Sequence, residues 1–185
     1  AKKNDLSVSI SDNYQDFLTF INLYLHFMKQ KKANQDYFYS LDYFKKIFKQ
    51  IKKNFDFFVI HKNGSKEIFG GCIVLKSVEK ASIHLSTVSD KIKKFGASVL
   101  LRHEITEFYR KKNYKLINYG GGLTKNNSDS LFKFKKNFSK ETKPYFIGKL
   151  VTNNELYSKI YNFLNDEKRI DLNFKDYLFF YKYAK

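Results

Sequence analysis

KLINYGGGLTKNNSDSLFKFKKNF, residues 115–138, is the stretch around which the rest of the chain is organised. Its branched and aromatic opening, Lys115 to Tyr119, predicts a short strand. The strand ends in Gly120, Gly121 and Gly122, three residues that permit backbone torsions others avoid and let a ligand or another backbone come close. A polar loop, Thr124 to Ser128, leads to a basic helix over Ser130 to Phe138, with Asp129 or Ser128 as its cap. In that helix Leu131, Phe134 and Phe138 share one face, and Lys133, Lys135 and Lys136 point outward. Free N–H groups and a helix dipole suit an anionic group, so the segment reads as a site for one. An ordinary left-handed turn between two packed elements accounts for the same residues.

Working outward, Ser7 to Ile10 predicts a strand, and a helix runs from Asp12 on the spacing of Phe17, Phe20, Ile21, Tyr24 and Met28. Ser40 caps a second helix from Leu41, with Phe44, Ile47, Phe48 and Ile51 on one side. Phe55–His61 and Glu67–Lys76, joined by Asn63-Gly64, form a hairpin; Ala81–Thr87 adds a third strand to an antiparallel meander. Gly70-Gly71 marks a bulge or a close backbone approach. A helix over Ala97–Lys112 buries Ala97, Leu100, Leu101, Ile105 and Phe108. The tail from Arg169 is a last strand or a partner-contact segment.

The 185 residues suffice for one domain with a proper core, and 20 Phe, 14 Tyr and a single proline exclude a disordered chain. Cys72, the one cysteine, sits in an apolar run and reads as a buried thiol in a reducing, cytoplasmic setting. No apolar run approaches the roughly 20 residues of a membrane span. The net charge of +17 is spread evenly. A lysine- and asparagine-favouring composition explains that spread; an anionic partner (coenzyme A, a nucleotide-sugar, a tRNA acceptor arm, an acidic membrane surface) is the functional alternative. His26, His61, His84 and His103 show no ligand spacing, so no metal site is expected, and no G-x-S-x-G or Walker element is present.

The glycine run followed by DSLFKFKKNFS, then PYFIGKLV and NELYSKIYNFL, resembles the Fem-type and BioF2-like branch of the GNAT acyltransferase superfamily. FGASVLLRHEITEFYRKKNYKLINYGGG and the early YLHFMKQKKANQDYFYSLDYF are similar to the same branch, over roughly Asp12 to Leu164. The resemblance implies an α/β (α+β) fold: a mixed, mostly antiparallel central sheet flanked by helices. It treats PYFIGKLV as a strand. Residues 1–185 then form a single GNAT-like domain, or the C-terminal half of a longer two-domain protein.

It also implies chemistry: transfer of an acyl group from acetyl-CoA, or another acyl-CoA, by direct attack of an amine. In this superfamily a loop of the form Arg/Gln-x-x-Gly-x-Gly/Ala opens a helix at the coenzyme's pyrophosphate. Lys93, Lys94, Phe95, Gly96, Ala97 and Ser98 occupy that loop here, with Lys93 departing from Arg or Gln and Ser98 from Gly or Ala. Small residues and lysines keep its physical logic. His84, in the third meander strand, is the candidate base, and Tyr119 the candidate acid for the leaving thiolate. Strict alternation puts Ser82, His84 and Ser86 on one face and Ile83, Leu85 and Thr87 on the other. Gly120, Gly121, Gly122, Asp129, Lys133 and Lys135 are the candidate substrate contacts. The expected acceptor is an amino group of a small-molecule or nucleotide-linked glycan precursor of the cell envelope. An aminoacyl-tRNA-dependent transferase and a non-catalytic half-domain that binds a partner are the alternatives.

Overall fold

A computed structural model describes residues 5–124, 126–146, 148–173 and 175–184. The chain divides into two compact units, 1–141 and 142–185. The first is built on a five-stranded sheet in the order β1-β2-β3-β4-β5: Leu6–Ile10, Phe55–Lys62, Ile68–Lys76, Lys80–Val88 and Leu116–Asn118. The first four strands are antiparallel neighbours, and β5 lies parallel to β4. The sheet is mixed and mostly antiparallel, as expected.

One face of the sheet carries α1 (Tyr14–Gln30) and α2 (Leu41–Gln50). Asn13 and Ser40 start them, accepting from the backbone N–H of Gln15 and Tyr43. Their apolar stripes, Phe17, Phe20, Ile21 and Tyr24 with Phe44 and Ile47, pack on Phe55, Phe57, Val59, Ile73 and Leu85 of the strands. The packing is ring against ring: Phe17 meets Phe57 edge-on at 5.3 Å and Phe48 at 4.9 Å. Removing a buried phenylalanine from such a cluster costs about 3–5 kcal/mol.

The other face carries α4 (Ala97–Lys111), reached through the one-turn α3 (Asp90–Lys93). Ala97, Leu100, Leu101, Ile105 and Tyr109 bury themselves on Phe58, Ile60, Cys72 and Val74. Tyr109, rather than the expected Phe108, is the fully buried ring of the last turn. Its hydroxyl donates to Asp56, which also pairs with Lys76, so a carboxylate anchors the end of α4 to the sheet. β5 leads through the glycine run to α5 (Ser130–Lys136), capped by Asp129.

The meander carries two bulges. In β3, Phe69 is skipped between Ile60↔Gly70 and His61↔Ile68, where Gly70-Gly71 was expected to mark one. Gly71 is held by close approach: a Cβ there would lie 2.6 Å from the Phe58 carbonyl and 2.9 Å from the Phe57 ring. In β4, Ile73 pairs with Leu85 and Val74 with Ile83, so His84 is the extra residue. That bulge corrects the alternation expected for this strand. Ala81 and Ile83 face α4, whereas His84 and Leu85 pack with the α1/α2 side. Ser86, opposite Cys72, returns to the α4 side, so His84 and Ser86 do not share a face.

In the second unit, Asn153 caps α6 (Asn154–Asp166). Phe180, in a 3₁₀ turn over Phe180–Tyr183, is buried between the rings of Tyr157 and Tyr161, at 5.3 and 5.2 Å. The Tyr157 hydroxyl closes this packing by donating to the Leu178 carbonyl. The strand expected over PYFIGKLV is absent: its described residues make no ladder, and Tyr145, Phe146 and Leu150 are exposed. An aromatic run supplies strand propensity, but a strand exists only against a partner's hydrogen bonds. Among the described residues the tail after Arg169 likewise forms the 3₁₀ turn and no strand.

Candidate active site

β5 pairs with β4 only over Lys80–Ser82, and then the two strands part company. β5 ends at Asn118 while β4 runs on to Val88, so among the described residues the second half of β4 has no strand partner on that side. The bulge at His84 sits at the start of that free half, and a bulge leaves backbone groups of its strand unpaired. Backbone N–H groups are therefore available where the strands diverge. Such donors can meet an oxyanion.

His84 is half-buried on the α1/α2 side. Its Nε2 lies 2.7 Å from Tyr43 Oη, and the Tyr43 ring stacks on Tyr39 at 4.4 Å. Burial holds the imidazole below its ordinary value of 6.5, so it is neutral and able to accept a proton near pH 7. Burial likewise raises Tyr39, with Tyr37 and Asp36 adding to it, and Tyr43, with Tyr39 adding to it, and both phenols stay protonated. Tyr39 and Tyr43 escaped sequence reasoning. Their only signal was the four-residue spacing that lets two rings stack at the start of α2.

Tyr119 lies on the opposite side of the sheet. Its hydroxyl is 2.7 Å from Thr106 Oγ1 in α4. The Thr106 hydrogen goes to the Arg102 carbonyl, so Tyr119 is the donor between the two. The Arg102 guanidinium lies over the Tyr119 ring, 5.7 Å from its centroid. The two candidate catalytic groups thus stand on different faces, with the β4–β5 divergence between them.

The loop Lys93 to Ser98 sits where β4 passes into α4. Gly96 has φ +74, a left-handed torsion that glycine adopts without strain, and from there the chain turns into the helix. The N–H groups of Val99 and Leu100 return to the Gly96 carbonyl, leaving Ala97 and Ser98 at the head of the helix. Lys93 reaches Asp90 at 3.8 Å and the Phe27 ring at 5.6 Å; Lys94 covers the Phe95 ring. Both lysines are exposed. Beside them, Phe27 and His26 of α1 and Thr87 and Ser89 line a cleft of about 190 Å³ at the end of β4. A wider hollow of about 470 Å³, lined in part by Asp16, His61 and Lys66, lies at the β2–β3 hairpin. It contains none of the sequence-predicted groups.

The three glycines after β5 differ in kind. Gly120 has φ +74, and its N–H is held by the Asn118 side chain. A Cβ on Gly122 would lie 2.6 Å from Asp129 Oδ1. Gly121 has open space at its Cβ position. Asp129 spends its carboxylate inside the loop, accepting from the N–H groups of Phe132, Leu123 and Thr124 and from the Thr124 hydroxyl. Those bonds, Phe132 first, hold it below the usual carboxylate range. Lys133 is exposed. Lys135 departs from the expected outward direction: it is half-buried and donates to the Gly121 carbonyl at 2.6 Å.

This architecture has counterparts among solved structures. They include a possible acetyltransferase from Clostridium difficile 630, with a TM-score of 0.60 and 11% identity, over 80% of this chain and 99% of that one. An aminoglycoside acetyltransferase from an uncultured soil metagenomic sample, in complex with sisomicin, gives 0.57 and 18% over 82% and 100%. A GNAT-family acetyltransferase from Staphylococcus aureus Mu50 gives 0.51 and 12% over 72% and 80%. The fold is GNAT-like. The sequence matches no family model and no curated protein.

Proposed function

We propose that the protein is an N-acyltransferase that uses an acyl-CoA, acetyl-CoA in the first instance, to acylate an amine. The observation that carries this reading is the divergence of β4 from β5 at the His84 bulge, in a fold shared with acetyltransferases. The pyrophosphate rests against the N–H groups of Ala97 and Ser98, with Lys93 and Lys94 adding charge. The acyl thioester lies between the parted strands, its carbonyl oxygen facing unpaired N–H groups of β4. The amine arrives from the α1/α2 side. As its nitrogen bonds to the acyl carbon and the carbon–sulfur bond breaks, His84 takes the proton, directly or through the Tyr43 hydroxyl. On the other side, Tyr119 gives a proton to the departing thiolate when its bond to Thr106 is exchanged for one to sulfur.

Base and acid on opposite faces suit a reaction whose two substrates enter from opposite sides. The acceptor proposed is an amino group on a cell-envelope or surface-glycan precursor. It rests on the resemblance of the GGG…DSLFKFK block and on the positive charge of a protein that can meet nucleotide-linked substrates. Calorimetry with acetyl-CoA tests the donor: micromolar binding that Gly96→Val weakens at least tenfold is expected, and equal binding by the variant overturns the placement. An aminoacyl-tRNA donor instead gives binding that falls steeply between 50 and 200 mM salt, by about 10³-fold or more for six phosphate contacts.

A further inference from the structure

Among the described residues, Arg102 is a buried cation with no ion pair. It is 7% exposed, and its Nη1 has no hydrogen-bond partner among the described residues. The groups its charge couples to are the Cys72 thiol and the Tyr119 phenol, neither of them a carboxylate. A charge taken out of water costs several kcal/mol unless an opposite charge and hydrogen bonds offset it. Chains therefore rarely bury a lone guanidinium for packing alone.

A second cation stands beside it. Lys135 folds back from α5 onto the Gly121 carbonyl, and it is held below the ordinary lysine range first by burial and then by Arg102's charge. The Asp129 charge nearby offsets this only in part, and its carboxylate is committed to the loop. Two cations that repel one another thus converge under the Tyr119–Gly122 turn. A guanidinium and an ammonium together match the planar oxygens of one anionic group.

We propose that Arg102 and Lys135, meeting below the Tyr119–Gly122 turn, form an anion subsite that takes one carboxylate or phosphate group of a ligand. The bound group supplies the counter-ion that the guanidinium lacks, and bidentate contact with Arg102 fixes its orientation. The subsite lies on the Tyr119 face, apart from the Lys93–Ser98 loop at the head of α4. It deepens the acyl-transfer reading by naming the chemistry of one substrate, a carboxylate on the acyl group or an anion on the acceptor. Its existence does not depend on that reading.

The test is thermal unfolding in sodium phosphate and in sodium succinate, each against sodium chloride of equal ionic strength, with wild type, Arg102→Met and Arg102→Lys. At ten times the Kd of the anion, wild type gains roughly 3–6 °C. Arg102→Met gains nothing beyond chloride, Arg102→Lys keeps part of the gain, and Arg102→Met without anion melts no lower than wild type. A wild type indifferent to both anions overturns the proposal. So does an Arg102→Met protein that responds equally, or one that melts several degrees lower in chloride, because its guanidinium then has a structural partner. Calorimetry with succinyl-CoA and acetyl-CoA separates the sources. A tenfold or greater preference for succinyl-CoA, lost in Arg102→Met, assigns the subsite to the donor's acyl group. Equal binding of the two thioesters, with the phosphate response intact, assigns it to the acceptor. Failure of both thioesters to bind, with that response intact, defeats the acyl-CoA reading and leaves the subsite standing.

Discussion

On the α1/α2 face of the sheet, aromatic rings do the packing and the polar groups around His84 are paired, although His61 Nδ1 is buried without a partner among the described residues. Tyr24 donates to the Tyr37 carbonyl, and Tyr43 and His84 share a hydrogen bond. On the α4 face, the same strands bury a guanidinium with an unpartnered nitrogen, with Lys135 half-buried nearby. Among the described residues the first face buries no guanidinium or ammonium. The second is completed only by something negative. On the proposed reading, the side assigned to the acceptor is preformed for proton transfer, while the side assigned to the donor stores unfavourable charge that ligand binding would relieve.

The largest effect that can break this contrast is at His84. His84→Gln should lower turnover by about 10²–10⁴-fold with acetyl-CoA binding nearly unchanged. A variant that keeps its rate places the base elsewhere and leaves the α1/α2 face a scaffold. Next is Gly121→Val on the other face. The fold offers a side chain open space there, so circular dichroism should remain native while transfer is abolished. Full activity in that variant would make the glycine run a matter of loop geometry.

A smaller change sharpens the picture of His84 itself. Tyr43→Phe removes one hydrogen bond, and its loss should cost about fivefold in rate, corresponding to about 1 kcal/mol. A purely structural tyrosine would alter melting temperature and leave the pH–rate profile in place. The smallest expected effect is in pH dependence. Burial depresses the folded imidazole's pKa, so below 6.5 the unfolded chain binds more protons than the fold. Stability should therefore decline as pH falls through 6.5, and the decline should vanish in His84→Gln. The acidic limb of the wild-type rate profile should likewise lie below 6.5. A limb above that value would contradict a buried, neutral base.

The sheet, both faces of helices and the glycine turn were legible because each rests on local periodicity. Phe17-Phe20-Ile21-Tyr24 and Ala97-Leu101-Ile105 reveal their buried sides without reference to a neighbour. The His84 bulge was not legible, because it belongs to the register between two strands: Ile73 selects Leu85 and Val74 selects Ile83. Nothing in ASIHLST alone fixes that choice. PYFIGKLV misled for the opposite reason, offering propensity without a partner. Arg102 left a trace that sequence reasoning passed over. It is spaced three and seven residues before Ile105 and Tyr109, a charge on the buried stripe of its own helix. Lys135 read as solvated because a helix of mostly lysines and phenylalanines does not reveal which lysine turns back.

Cys72, midway along β3 and fully buried, gives this protein an internal reporter. Burial pushes its thiol up to about 11, against a smaller opposing pull from Arg102 and Ser86. At pH 8 the thiol therefore stays protonated, and it is closed to a reagent while the strands stay together. Alkylation must therefore wait for the sheet to part, and its rate measures the free energy of that opening with no introduced label. The thiol lies next to the guanidinium that awaits an anion. A ligand that neutralises Arg102 should slow the labelling, so one mass shift followed over time records both the breathing of the sheet and the filling of its charged side.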